Sequence, residues 1–145
     1  MRIERFRWWH IAEVVPMEAD LFGDEKWTPA MFWNELAQRN FYVVAIEGEQ
    51  DVLGYGGLAS TQDEAWVQNI AVRRSAQRRG AGRRLLEALL DEAHRLEIKQ
   101  TLLEVAVDNE PAQRLYATYD FEPVGIRRGY YQPSNTDALV MMRNG

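Results

Sequence analysis

The spacing of hydrophobic residues along the chain predicts which segments are strands and which are helices. Short apolar runs rich in β-branched and aromatic residues predict strands over residues 2–6, 41–47, 52–59, 65–72, 101–107, 122–131 and 138–142. Apolar residues three and four positions apart predict helices over residues 8–21, 29–38 and 110–119, and a long helix after Gly82. The order is therefore β-α-α-β-β-β-α-β-α-β-β. Because it mixes hairpins with crossover connections, it predicts an α/β fold with a mixed sheet and helices on both faces.

The composition limits the class of protein. The chain has 145 residues, no cysteine, two histidines and no repeat or flexible linker, so we expect one domain over residues 1–145 with no disulfide and no metal site. The net charge of −5 argues against a nucleic-acid partner. The longest apolar runs, such as residues 41–46, are too short to cross a membrane, and no apolar signal segment follows the charged N-terminus. A soluble cytoplasmic protein with no membrane partner is expected.

The segment between the strand ending at Val72 and the long helix is rich in glycine and arginine. It reads Gln77-Arg78-Arg79-Gly80-Ala81-Gly82, and six arginines stand here with no acid between them: Arg73, Arg74, Arg78, Arg79, Arg83 and Arg84. The first N–H groups of a helix have no internal partner and carry partial positive charge, so glycines there allow a phosphate to approach closely. The third glycine of a Rossmann motif would stand at Leu85 and is absent, as is the Gly-Lys-Ser/Thr of a P-loop. An ordinary helix start with solvated arginines is the alternative interpretation.

The pattern Gln-x-x-Gly-x-Gly after Ile70-Ala71-Val72 resembles the acetyl-coenzyme A motif of the GNAT superfamily of N-acetyltransferases. Further segments resemble its RimI-type members: Trp27-Thr28, Leu103-Glu104-Val105, Asn109 with Ala112 and Leu115-Tyr116, and Arg127-Arg128-x-Tyr130-Tyr131. The resemblance covers almost the whole chain and implies the GNAT fold, with acetyl-CoA as co-substrate and no metal. It implies that the strand edge at Ile70, Ala71 and Val72 holds the pantetheine and that Asn109 bonds the cofactor. It also implies pyrophosphate binding by the backbone N–H groups of Arg78, Arg79, Gly80, Ala81, Gly82 and Arg83.

The same resemblance implies two catalytic residues. Glu104 corresponds to the general base of the RimI-type enzymes, acting on the acceptor amine directly or through a water molecule. Tyr116 corresponds to the general acid that protonates the departing thiolate. From the residues alone, Glu104 could equally be a solvated strand residue, and Tyr116 could be a packing residue beside Ala112 and Leu115.

The resemblance further implies that the acceptor is a protein N-terminus, typically the N-terminal alanine of a small-subunit ribosomal protein. Trp27, Tyr130 and Tyr131 would line its groove, although each could instead serve packing. Because adjacent strand residues point to opposite faces, only one of the two tyrosines is expected to face the site. A small-molecule amine or a lysine side chain is the alternative acceptor, and a non-catalytic acyl-CoA-binding module is a third hypothesis.

Three positions depart from the family pattern. Asp120 stands where glycine is usual before Phe121, and aspartate tolerates the left-handed backbone that such a turn needs. Ala106 replaces a frequent arginine. Glu25-Lys26 replaces the aromatic-proline pair that often precedes the tryptophan, so we expect the acceptor pocket to differ there.

Overall fold

The elements of the computed structural model, which describes all 145 residues, follow the predicted order. They are β1 (Arg2–Arg5), α1 (Ile11–Phe22), α2 (Pro29–Ala37), β2 (Phe41–Glu47), β3 (Asp51–Ser60), β4 (Glu64–Val72), α3 (Ala81–Arg95), β5 (Gln100–Ala106), α4 (Glu110–Ala117), β6 (Glu122–Tyr131) and β7 (Thr136–Asn144). Short 3-10 turns cover Trp8–His10, Gly23–Glu25 and Arg74–Ala76. The predicted mixed α/β fold is confirmed, with the first helix beginning three residues later than predicted because Trp8–His10 forms a 3-10 turn.

Two helices begin at side-chain caps that satisfy backbone N–H groups of their first turn. Thr28 Oγ1 accepts a hydrogen bond from the Met31 N–H at 3.3 Å, and Pro29 follows it. Asn109 Oδ1 accepts from the Ala112 N–H, also at 3.3 Å, so Asn109 caps α4. The turn after α4 passes through Asp120 with φ of +69°, the left-handed conformation that aspartate tolerates.

The seven strands form one sheet in the order β1-β2-β3-β4-β5-β7-β6. All neighbours are antiparallel except β4 and β5, which are parallel. These two strands pair only between Glu64–Trp66 and Gln100–Leu102. Beyond Trp66 and Leu102 the sheet is split, and both strands continue without pairing to each other.

The helices cover both faces of this sheet. Each face of the sheet carries its own cluster of buried hydrophobic residues. Alternate residues of β2 belong to different clusters, Val43 and Ala45 to the first and Val44 and Ile46 to the second. The first cluster includes the buried faces of α3 and α4, and the second those of α1 and α2. None of the helices combines the length and apolar character that crossing a membrane requires.

Candidate active site

A cavity of about 850 Å³ lies at the split between β4 and β5. Residues 67–70 of β4 and 103–106 of β5 line it. Side chains from both helical layers also reach it, including Glu18 from α1 and Tyr116 from α4. The cavity therefore connects the two faces of the sheet, so that two substrates could enter from opposite sides and meet in the split.

The glycine loop is folded so that the start of α3 stays open. Gln77 Nε2 donates to the Val72 carbonyl at 3.0 Å, which ties the loop back to the end of β4. Gly80 occupies the N-cap position with φ of +84°, a conformation that glycine adopts without steric cost. No side chain caps α3, so its first-turn N–H groups remain available to an anion.

The arginines around this loop are not equally free. Three hold contacts within the protein: Arg73 with Asp51 at 2.7 Å, Arg74 with Asp20 at 2.9 Å, and Arg84 with the Met1 carbonyl at 2.7 Å. Arg79 forms a looser ion pair with Glu47 at 3.5 Å. Arg78 forms no ion pair, and Arg83 lies over the Tyr119 ring at 5.2 Å without a carboxylate partner. Arg78 and Arg83 are therefore the charges best placed to meet a phosphate.

The predicted pantetheine strand has one edge in the sheet and one in the split. Residues 69–72 of β4 pair with β3, while their other edge has no pairing to β5. Ile70 lines the cavity, Ala71 is buried in the α1–α2 cluster, and Val72 packs against the α3–α4 cluster. A ligand in the split could thus hydrogen-bond the main chain of this segment and pack against the Ile70 side chain.

Tyr116 and Asn109 line the cavity from the α4 side. The Tyr116 ring is buried edge-to-face against Phe121, with centroids 6.0 Å apart, and its hydroxyl has no hydrogen-bond partner in the protein. Burial raises the pKa of Tyr116 to about 12. The hydroxyl therefore keeps its proton at neutral pH and can donate it.

Glu104 lines the cavity from β5 with one oxygen left without a partner. Its side chain is 12% exposed, and Oε1 lies 3.5 Å from Arg127 Nη1. Its Oε2 is buried and accepts no hydrogen bond. A buried acceptor without a donor is rare in proteins, and it belongs to a residue that lines the cavity.

Both paired tyrosines of β6 line the cavity, so the expectation that only one would face it is wrong. The rings of Tyr130 and Tyr131 are 5.0 Å apart in an edge-to-face arrangement, which residues on opposite faces of a regular strand could not reach. The register between β6 and β7 shifts between Arg127 and Tyr131, and Gly129 in this interval has φ of +60°. This irregularity turns both rings to one side. Burial raises the pKa of Tyr130 to about 12, and the neighbouring Glu104 adds to that shift.

Trp27 lines the cavity from the connection between α1 and α2. Its ring packs against Phe32 at a centroid distance of 5.3 Å. Beside it, Glu25 Oε1 accepts a hydrogen bond from the Ser134 N–H at 3.2 Å. This bond joins the α1–α2 connection to the β6–β7 hairpin, and both residues line the cavity. Glu25 is one of the two residues that depart from the family pattern before Trp27.

Sequence reasoning missed Glu18, which is 1% exposed and also lines the cavity. Its Oε1 accepts from the Trp27 N–H at 2.8 Å, and its Oε2 accepts from the Tyr55 hydroxyl. Desolvation raises the pKa of Glu18. The available signal was its position, because Ile11, Val14 and Glu18 follow the i, i+3, i+7 spacing of the buried helix face.

A model of the acetyltransferase (GNAT) family matches residues 4–121. The chain belongs to the GNAT family of acetyltransferases. It is therefore an enzyme of the N-acetyltransferase class, as the resemblance implied, and its family uses acetyl-CoA.

Similar proteins in this family include bacterial N-terminal acetyltransferases. N-alpha-acetyltransferase RimI of Mycobacterium tuberculosis is 40% identical over 133 residues, which are 88% of this chain and 82% of that protein. The ribosomal protein bS18-alanine N-acetyltransferase of Salmonella typhimurium is 32% identical over 79% of this chain and 78% of its own length. The crystal structure of the ribosomal-protein-S18-alanine N-acetyltransferase of Escherichia coli superposes with a TM-score of 0.89 at 27% identity, covering 99% of this chain and 92% of that one.

Proposed function

We propose that the chain transfers the acetyl group of acetyl-CoA to the N-terminal amine of a protein, with the N-terminal alanine of a small-subunit ribosomal protein as the acceptor. The observation that carries the proposal is that Glu104, Tyr116 and the tyrosine pair of β6 line one cavity in the split sheet. The names of the similar bacterial enzymes, and the large share of this chain that they match, support the same acceptor.

The residues on the α3 side fit the donor substrate. The uncapped start of α3 and the open space beside Gly80, where an added Cβ would meet no atom within 4 Å, suit a pyrophosphate. Arg78 and Arg83 would lie beside that charge. The free edge of β4 at Ile70, Ala71 and Val72 would bond the pantetheine amides, and Asn109 would add a polar contact from α4.

The charges that line the cavity suit a cation. Four acidic residues line it against a single lysine: Glu18, Glu25, Glu104 and Asp108 against Lys26. An α-amino group has a pKa near 7.7–8.0, so roughly a tenth of it is neutral at pH 7, whereas a lysine side chain with a pKa near 10.4 is neutral in only about one molecule in 2,500. A carboxylate base can deprotonate an α-amine much more readily, which favours the N-terminal acceptor over lysine.

Two residues of the chain would carry out the two proton transfers of the reaction. Acetyl-CoA supplies the acetyl thioester. Glu104, which lines the cavity, accepts a proton from the acceptor ammonium, directly or through water, leaving a neutral amine able to attack. Tyr116 holds the proton that the departing thiolate takes as the C–S bond breaks and the C–N bond forms. Trp27, Tyr130 and Tyr131 bound the space in which the peptide would lie.

The test is acetyl-CoA turnover by the purified chain against short peptides that differ in their first residue. Each peptide is assayed with a free and with a chemically blocked N-terminus. We expect turnover only with free N-termini and a preference for alanine at the first position. Equal turnover with blocked, lysine-containing peptides would contradict the proposal and favour a side-chain acceptor.

A further inference from the structure

The Glu18 carboxylate is buried without any cationic partner. It projects from α1 into the cluster that contains Phe6, Phe32 and Tyr55, and no ion pair involves it. Its two partners are neutral donors, the Trp27 N–H and the Tyr55 hydroxyl. Buried charges are usually paired, and an apolar side chain of similar volume often stabilises a fold as well or better. Stability alone therefore gives no reason for a glutamate at this position.

The hydrogen bonds of Glu18 continue on both sides to residues that line the cavity. On one side its Oε1 holds the backbone of Trp27, the wall of the proposed acceptor groove. On the other side Oε2 binds Tyr55, whose hydroxyl oxygen accepts from Asn69 Nδ2 at 3.0 Å. Asn69 lies on β4 and also lines the cavity. The chain of contacts Trp27–Glu18–Tyr55–Asn69 thus joins the acceptor loop to the donor strand.

The Asn69 end of this chain lies where β4 is irregular. The pairing of β3 with β4 shifts register between Gly57 and Leu58, which pair with Asn69 and Val67, so Gln68 is the extra residue on β4. A bulge of this kind turns the strand and needs side-chain contacts to fix its direction. Asn69 is the residue directly after the bulge and directly before Ile70, where the proposed donor-binding edge begins.

We propose that Glu18 is a positioning residue for acetyl transfer, holding the acceptor wall at Trp27 and the donor strand at Asn69 in one fixed relation. This inference rests on the proposed function. Glu18 does not touch the reacting atoms. It acts through Trp27 and Tyr55, and its value to the reaction is the alignment of two substrates that enter from opposite faces of the sheet.

The proposal is tested with Glu18→Gln, which keeps the side-chain volume but replaces one hydrogen-bond-accepting oxygen by an NH2 group that donates. The glutamine carbonyl can still accept from Trp27, but its amide then points a donor at the Tyr55 hydroxyl, which competes with Asn69 for the same oxygen. The melting midpoint of each variant shows whether the fold is retained, and activities are compared only between folded proteins. The matched control is Glu13→Gln, an exposed glutamate of the same helix.

We expect Glu18→Gln to lower kcat/KM for the acceptor peptide at least fivefold, while the Kd for acetyl-CoA stays within twofold and the fold is retained. Glu13→Gln should leave all three measurements unchanged. A loss smaller than fivefold in a folded Glu18→Gln protein overturns the proposal. So does an equal loss of affinity for acetyl-CoA, because general destabilisation would affect both substrates.

Tyr55→Phe and the double variant keep the proposal testable if the glutamine variant folds poorly. Tyr55→Phe removes the hydroxyl that links Glu18 to Asn69 and keeps the ring. If the two residues act through one network, the double variant should lose no more activity than the more impaired single variant. Losses that multiply would contradict a shared network. Wild-type turnover of the peptide tests the proposed function, whereas the ratios of the variants to wild type test the role of Glu18, so the two can fail separately.

Discussion

Tyr116→Phe separates chemistry from packing at the proposed general acid. The Tyr116 ring belongs to the core beside α3, but its hydroxyl has no hydrogen-bond partner in the protein. Removing that hydroxyl therefore breaks no internal bond, and we expect the free energy of unfolding to change by less than about 1 kcal/mol. If the hydroxyl protonates the leaving thiolate, kcat should fall roughly 10²–10⁴-fold. Tyr116→Ala, in contrast, should cost about 3–5 kcal/mol of stability through the cavity that it leaves.

The raised pKa of Tyr116 adds a pH dependence with a defined sign. A pKa of about 12 against an ordinary value near 10 is a preference for the neutral hydroxyl of about 3 kcal/mol in the folded state. Its proton is therefore present throughout pH 6–10, and the rate ratio of wild type to Tyr116→Phe should be constant there. Between pH 10 and 12 the folded state holds a proton that the unfolded state has lost, so wild type should lose stability more steeply than the phenylalanine variant as the pH rises.

The assay is single-turnover acetyl transfer with saturating acetyl-CoA, together with the melting midpoint of each variant. Single turnover isolates the chemical step from product release. A folded Tyr116→Phe protein with a rate within threefold of wild type would refute the general-acid role. The tyrosine would then be a packing residue, and the thiolate would take its proton from water or from the acceptor amine.

Three further predictions concern the base, the loop and the turn. Glu104→Gln should lower kcat about 10²–10⁴-fold with the Kd for acetyl-CoA unchanged, and wild-type rates at and below pH 7 would exclude Glu104 as the base. Gly82→Trp should abolish acetyl-CoA binding in calorimetry by filling the space beside the start of α3, and retained binding heat would contradict the phosphate site. Asp120→Gly should raise the melting midpoint by about 2–4 °C because glycine adopts the positive φ without the cost of about 1 kcal/mol that an L side chain carries, and an unchanged or lower midpoint would contradict that reason.

The order of elements could be predicted because its signals are local. Amphipathic spacing and the glycine loop each act within a few residues, and the helices and the loop appear in the structure near their predicted places. The resemblance to the family pointed to Glu104 and Tyr116 as site residues, and both line one cavity.

The features that sequence reasoning missed depend on contacts between distant segments. One partner of Glu18, the Tyr55 hydroxyl, lies 37 positions further along the chain, and the partners of Arg73 and Arg74 lie 22 and 54 positions away. Local composition could not show that these two arginines are already paired. The prediction that only one tyrosine of the pair faces the site was wrong for a different reason. Strand alternation assumes a regular register, and β6 is irregular just before Tyr131.

The site of acetylation on one peptide that carries both kinds of amine shows most directly whether the acceptor is a protein N-terminus. The peptide has a free N-terminal alanine and an internal lysine, and its product is analysed by tandem mass spectrometry after partial turnover at pH 7. We predict a single acetyl group on the α-amine, and its loss when Glu104 is replaced by glutamine. Acetyl groups found first or mainly on the lysine side chain would contradict the account.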